Sequence, residues 1–383
     1  MIHPTSIASD ASVRSPRVLI TTDTLGGVWT FALDLAREIA AHGGVSALAT
    51  MGRPLSASQR ASAAAIRGCS VFESDYRLDW MSDPWADVDA SENWLLDLEA
   101  AWQPEVIHCN TFSHGRLAWH APVILTVHSC VCTWYRAVRG HPPPSREWAE
   151  YVRRAIEALE HADYLVTPTA AFKTALADAY PVDLSRAKVI PNGRLLRPHY
   201  TVASKRAHCL AAGRLWDDAK NLRLLATIAP DLPWPCLVAG EEGTPENETP
   251  PAMQLLGRLD QTQMAAHMRE AAIFLHPALY EPFGLAPLEA GLAGCALVLS
   301  DIPTLREVWS EDSALFVNPH DPETWIERVH WLIASSERWQ EWGARARQCA
   351  LAYPRNRMGT TYLDLYKRAA PCDAAHQPSL QSS

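Results

Sequence analysis

The feature that most constrains this fold is a repeated rhythm of short apolar runs that do not alternate, followed by stretches with apolar positions at helical spacing. RVLITTD (17–23) is such a run, and FALDLAREIAAHGG after it is helix-like and stops at glycines. VSALATM, EVIHCN, PVILTVH, DYLVTP and KVIP repeat the strand half of the unit. Runs of this kind suit parallel strands covered on both faces by helices. Residues 1–191 therefore read as one doubly wound α/β domain. The rhythm restarts at HCLAAG (208–213) and continues through PCLVAG, MQLLG, IFLHP, CALVLS and ALFVN. This predicts a second α/β domain over 198–352, with the boundary near PNGRLLRPHY. A last helical stretch, 357–369, follows Pro354, and the polar, aperiodic 371–383 reads as a disordered tail.

Composition removes several classes of function. A chain of 383 residues suits two cores better than one. The formal charge of -9 argues against a nucleic-acid partner, which calls for a basic stripe. No uninterrupted apolar run reaches the roughly 18 residues of a membrane span, and the N-terminal MIHPTSIASDASVRSPR lacks the apolar core of a secretory signal. Nine scattered cysteines, whose nearest pair is Cys130 and Cys132, fit reduced thiols in a cytoplasmic enzyme.

Two stretches of the second half carry chemistry. In GRLWDDAKN (213–221), Arg214 lies just past a strand and Lys220 at the opening of the next helix. Cations there add to the unpaired N–H groups and the dipole of a helix entry, which suits an anion. In HPALYEPFGLAPLEAG, Glu281 falls in the loop after a strand and Glu289 about one turn inside the following helix. The backbone N–H groups of Phe283, Gly284 and Leu285 form a second candidate anion site, with Gly284 allowing close approach. Carboxylates so placed can contact separate hydroxyl-bearing parts of one long ligand, such as the sugar and ribose of a nucleotide sugar. The plainer readings are solvated cations, a helix-capping Glu281 and a hydrogen-bonded Glu289.

Taken together, GRLWDDAKN, the stretch LLGRLDQTQMAAHMREAAIFLHPALYEPFGLAPLEAGLAGCALVLSD, VIPNG (189–193) and LGGVWTFALDLAREIAAHG resemble the retaining GT-B glycosyltransferases of family 4 (glycosyl transferases group 1). The resemblance covers roughly residues 17–369. It implies two Rossmann-like domains facing a central cleft, with the final helix crossing back to the first domain. It further implies that Arg214 and Lys220 hold a donor diphosphate, that Glu281 contacts the transferred sugar and that Glu289 contacts the ribose hydroxyls. The amides of Phe283, Gly284 and Leu285 would meet the phosphate or sugar. Gly26 and Gly27 match a glycine loop facing the diphosphate, and His128 matches an active-site histidine near the sugar. His128 is followed by Ser129, where many members have aspartate.

The expected activity is metal-independent, retaining transfer of a hexosyl group from a nucleotide-diphosphate sugar to a hydroxyl of a sugar, glycan or small metabolite. No cofactor beyond that co-substrate is expected. The alternatives are a sugar-nucleotide epimerase of the same fold and a catalytically silent binding protein. A nicotinamide enzyme is disfavoured, because LGGVWT lacks the required glycine spacing. Acceptor contacts are expected from LGGVWT, NTFSHGR (110–116) and the 129–150 stretch. The aromatic and arginine content of 129–150 reads as a solvated loop before it reads as a weak peripheral membrane contact. The acidic, tryptophan-rich 73–102 stretch reads as a solvated face with buried anchors rather than a metal site.

Overall fold

The structure, a computed structural model, describes residues 15–195, 205–240 and 253–370; the proposed tail at 371–383 lies outside them. The first half runs β1 (Arg17–Asp23), α1 (Gly27–Ala41), β2 (Val45–Met51), α2 (Ala57–Ala64), β3 (Cys69–Glu73), α3 (Trp85–Trp102), β4 (Val106–Cys109), α4 (Phe112–Gly115), β5 (Val123–Thr126), α5 (Val131–Arg139), α6 (Ser145–His161), β6 (Tyr164–Thr167), α7 (Ala170–Ala179) and β7 (Lys188–Val189). The second half runs β8 (Arg206–Ala212), α8 (Leu222–Ile228), β9 (Cys236–Ala239), β10 (Met253–Gly257), α9 (Gln261–Glu270), β11 (Ala271–His276), α10 (Leu285–Leu292), β12 (Ala296–Ser300), α11 (Pro303–Val308), β13 (Leu315–Val317), α12 (Pro322–Ile333), α13 (Ser336–Ala350) and α14 (Arg355–Ala369).

The strands form two parallel sheets, ordered β3-β2-β1-β4-β5-β6-β7 and β10-β9-β8-β11-β12-β13. Both orders reverse beside their first strand, which opens a crevice at the carboxyl ends of β1 and β4 and of β8 and β11. Each sheet is covered on both faces, one apolar core per face. Most of the strand runs are accordingly buried along nearly their whole length, β1, β11 and β12 among them. Local signals fix helix starts: Ser56 with Gln59 and Asp260 with Gln263 form capping boxes. Trp80, Trp85, Trp94 and Trp102 of the acidic stretch pack against the first core. The eight described cysteines are free.

The chain returns to its first domain at the end. Met358, Tyr362, Leu363, Leu365 and Tyr366 of α14 complete the core that holds α1. Buried polar groups register this docking: the Tyr366 hydroxyl lies 2.5 Å from His108 Nδ1, and that of Tyr362 lies 3.1 Å from Thr126 Oγ1. The outgoing and returning crossings also bond to each other. Arg194 N–H donates to the Tyr353 carbonyl at 3.0 Å, and Arg355 N–H donates to the Arg194 carbonyl at 3.0 Å.

Gly193 makes that contact feasible, since a Cβ there would sit 2.6 Å from the Pro354 carbonyl oxygen, a backbone atom. Gly193→Ala is therefore expected to force the crossings apart and cost about 1–3 kcal/mol. Thermal unfolding checks this, with a lowered first transition expected; an unchanged melting profile would show that the crossings yield freely.

Candidate functional site

The two crevices face one another across a cleft of about 820 Å³, lined among others by Asp23, Gly26, Gly27, Asn110, His128, Arg214, Lys220, Glu281 and Glu289. All ten residues singled out by sequence line this one cleft. On the first-domain side, Asp23 ends β1, and Gly26, with φ of 82°, turns the chain into α1. On the opposite side, Gly284, with φ of 95°, turns it into α10. A Cβ on Gly27 would meet Leu285 Cδ1 at 3.4 Å, so the two glycine turns come into contact range across the cleft.

The cleft charges are paired. Lys220 Nζ donates to Glu281 Oε2 at 2.8 Å, joining the segment after β8 to the loop after β11. His276 Nε2 lies 3.2 Å from the same oxygen. Burial by itself raises the pKa of Glu281, but the Lys220 ammonium, with His276, outweighs it and holds the carboxyl well below the usual range. Burial also lowers the pKa of His276. The other oxygen, Glu281 Oε1, accepts the Gly284 N–H at 3.1 Å. Glu281 therefore accepts from the helix entry as the capping reading expects, and one of the three amides expected to meet an anion is already bonded.

Arg214 is the most exposed of these charges, at 40%. Its Nη2 donates to Asp217 Oδ2 at 2.8 Å and its guanidinium lies over the Trp216 ring. Glu289 pairs with Arg194 Nη2 at 2.5 Å. Arg194, which directly follows VIPNG, is not among the site residues that the sequence singles out.

His128 sits at the end of the β5 segment against Phe31, with ring centroids 4.5 Å apart. Asn110 Nδ2 donates to the Thr21 carbonyl at 2.7 Å, which turns Oδ1 towards His128 Nε2, 2.8 Å away. Nε2 is then the donor, and Nδ1 of the neutral ring is left with its lone pair. Burial lowers the His128 pKa to about 3, so the ring is neutral near pH 7. Asp23 is likewise not among the residues that the sequence singles out, yet it closes the first apolar run and so carries the same strand-end signal. Burial pushes its carboxyl up to about 7, with Asp79 adding to the rise; the Leu25 N–H, at 3.0 Å, and the Arg214 charge oppose it.

Further bonds cross the cleft. The Tyr280 hydroxyl accepts the Cys130 N–H at 3.1 Å and lies 2.8 Å from Thr133 Oγ1. Trp134 Nε1 donates to Asp217 Oδ1 at 3.0 Å, and Arg139 pairs with Asp218 at 2.5 Å. Trp80 and Trp216 stack across the gap at 6.3 Å. The 129–150 stretch thus directs Arg139 and Trp134 to the second domain. No helix among the described residues is long and apolar enough to cross a membrane.

Comparison with known proteins agrees with this geometry. Residues 25–194 match the family described as Glycosyltransferase Family 4, and residues 197–349 match Glycosyl transferases group 1. The glycogen synthase of Mycobacterium tuberculosis is 27% identical over 238 residues, 55% of this chain and 56% of that enzyme, so the match spans little more than half of its length. The D-inositol 3-phosphate glycosyltransferase of Kineococcus radiotolerans is 24% identical over 71% of this chain and 73% of its own. Among solved structures, sucrose-phosphate synthase from Thermosynechococcus elongatus superposes with a TM-score of 0.75 at 17% identity, covering 93% of this chain and 99% of that one. Anabaena Alr3699/HepE, in complex with UDP and glucose, superposes with a TM-score of 0.71 at 13% identity over 92% and 100%.

The raised pKa of Asp23 has a measurable consequence. Between 3.8, its ordinary value, and about 7, the folded protein retains a proton that the unfolded chain has lost. The stability from that proton is complete below the lower value and is lost as pH rises through the window. Wild type is therefore expected to lose stability relative to Asp23→Asn from about pH 4 to pH 7. Chemical denaturation across that range checks it; parallel profiles would place the Asp23 titration elsewhere.

Proposed function

Since the chain belongs to the family 4 glycosyltransferases of GT-B fold, we propose that it moves a hexosyl group from a nucleotide-diphosphate sugar to an acceptor hydroxyl, with retention of anomeric configuration and without a metal ion. The observation that carries this is the convergence of Arg214, Lys220 and Glu281 at the carboxyl ends of β8 and β11, opposite the Gly26–Gly27 turn. Glycosyl transfer builds positive charge on the anomeric carbon and negative charge on the departing diphosphate. Cations aimed at that diphosphate favour the transition state over the ground state. Here the positive charge comes from side chains, Arg214 and Lys220, and the α10 entry adds its dipole.

Glu281, fixed by Lys220 and the Gly284 amide, is placed to orient sugar hydroxyls, while Glu289 faces the nucleoside end of the cleft. His128 contributes as a neutral ring held by Asn110. For retention, an oxygen of the leaving diphosphate takes the acceptor proton on the same face, so the protein needs no covalent intermediate. The HepE complex with UDP and glucose makes a uridine-diphosphate sugar the first donor to test. Relatives named glycogen synthase and D-inositol 3-phosphate glycosyltransferase make polyhydroxylated acceptors the first panel.

The test is transfer from UDP-, GDP- and ADP-sugars to glucose, mannose, maltotriose and inositol 3-phosphate in excess EDTA, with product anomers read by NMR. Retained configuration and full activity in EDTA are expected. Arg214→Ala should lower kcat about 10²–10³-fold, as loss of a transition-state donor does. Inverted product, release of an epimerised nucleotide sugar, or EDTA-sensitive transfer would overturn the corresponding part of this function.

A further inference from the structure

Arg194 is 5% exposed and lies in the outgoing crossing between the domains, directly after VIPNG. Its guanidinium spans both domains: Nη1 bonds Asp34 in α1, and Nη2 bonds Glu289 Oε1 in α10 at 2.5 Å. Asp34 is itself only 2% exposed and is braced by Arg37 at 3.0 Å, with Arg355 Nη1 3.8 Å away. Arg355 Nε in turn donates to Glu38 at 2.5 Å. The backbone of Arg194 is pinned on both sides by Tyr353 and Arg355. A rigid guanidinium fork between two carboxylates has one arrangement that pairs both of them, and leaving it strands a buried charge.

Position gives this pairing a role. Asp34 lies seven residues into the helix that begins at Gly27, and Glu289 four residues beyond Leu285. Gly27 and Leu285 are the cross-cleft neighbours at the helix entries. Arg194 therefore ties together, from behind, the two helices whose N-terminal ends frame the cleft.

We propose that Arg194 is the positioning residue for the nucleoside end of the donor, holding the Glu289 carboxylate so that its remaining lone pairs accept the ribose hydroxyls of a nucleoside diphosphate. A carboxylate has about four acceptor sites, so the bond to Arg194 leaves capacity for two vicinal hydroxyls. Arg194 also keeps that carboxylate in fixed register with α1, whose entry faces the diphosphate. The inference rests on the donor site proposed above and assigns how its ribose contact is held.

The test compares ribose and deoxyribose ligands by calorimetry. UDP, GDP and ADP are titrated first, and the tightest binder is compared with its 2′-deoxy and 3′-deoxy forms. Wild type should prefer the ribonucleotide about tenfold, the size of a hydrogen bond to a charged group. In Arg194→Met the ribonucleotide should weaken about tenfold while the deoxy forms change little, so the preference collapses. Arg194→Lys keeps the charge without the fork and decides the same comparison if the methionine variant does not fold; it too should lose most of the preference. If the variant weakens all three ligands equally, or keeps the ribose preference, Arg194 is structural only and the proposal fails. If wild type shows no ribose preference, the Glu289–ribose contact fails with it, which separates the two failures.

Discussion

Charge pairing in a low-dielectric cleft is the constraint that the rest of the site depends on. A buried ion without a partner costs several kcal/mol. The cleft accordingly sets Lys220 against Glu281, Arg194 against Glu289 and Arg214 against Asp217. The first two pairs join segments far apart in sequence, so each fixes the relative position of two strand ends or two helices. A bound diphosphate would not have to create positive charge in this cleft. It would share Lys220 and Arg214 with carboxylates already in place, and those carboxylates would stay close enough to meet sugar and ribose hydroxyls.

The same economy governs the relation between the domains. Tyr280, Asp217 and Asp218 bond to α5 or its entry, and the Pro282 carbonyl accepts Thr169 Oγ1 at 2.9 Å. Glu307 accepts the N–H groups of Ala170 and Ala171 at 2.8 and 2.7 Å, capping the first-domain helix α7 from the second domain. Several of these partners lie within a few residues of Arg214, Lys220 or Glu281. Domain contact and cleft geometry are thus set by the same loops.

Much of the fold was legible in the sequence because parallel strands buried on both faces write themselves as unalternating apolar runs. KVIP marks the limit: only Lys188 and Val189 pair, at the sheet edge, and both are exposed. Cleft residues were legible where they followed a strand end and a glycine turn, as Glu281 and Gly284 do. Their partners were not. Nothing in the sequence says that Lys220 and Glu281, 61 positions apart, come within 2.8 Å of each other. The Gly284 amide, expected to meet an anion, turns out to bond Glu281 because the turn is tight enough for the side chain to reach back. Arg194 escaped notice because its importance comes from two carboxylates on different domains, a tertiary fact with no local pattern.

The measurement that bears most directly on the cleft as a donor site is a crystal structure with the tightest-binding nucleoside diphosphate. The expected result places the diphosphate within hydrogen-bond distance of both Arg214 and Lys220, at the entry of α10, with the ribose hydroxyls on Glu289. A nucleotide bound outside the cleft, or one lying in it while Arg214 and Lys220 contact only Asp217 and Glu281, would contradict it.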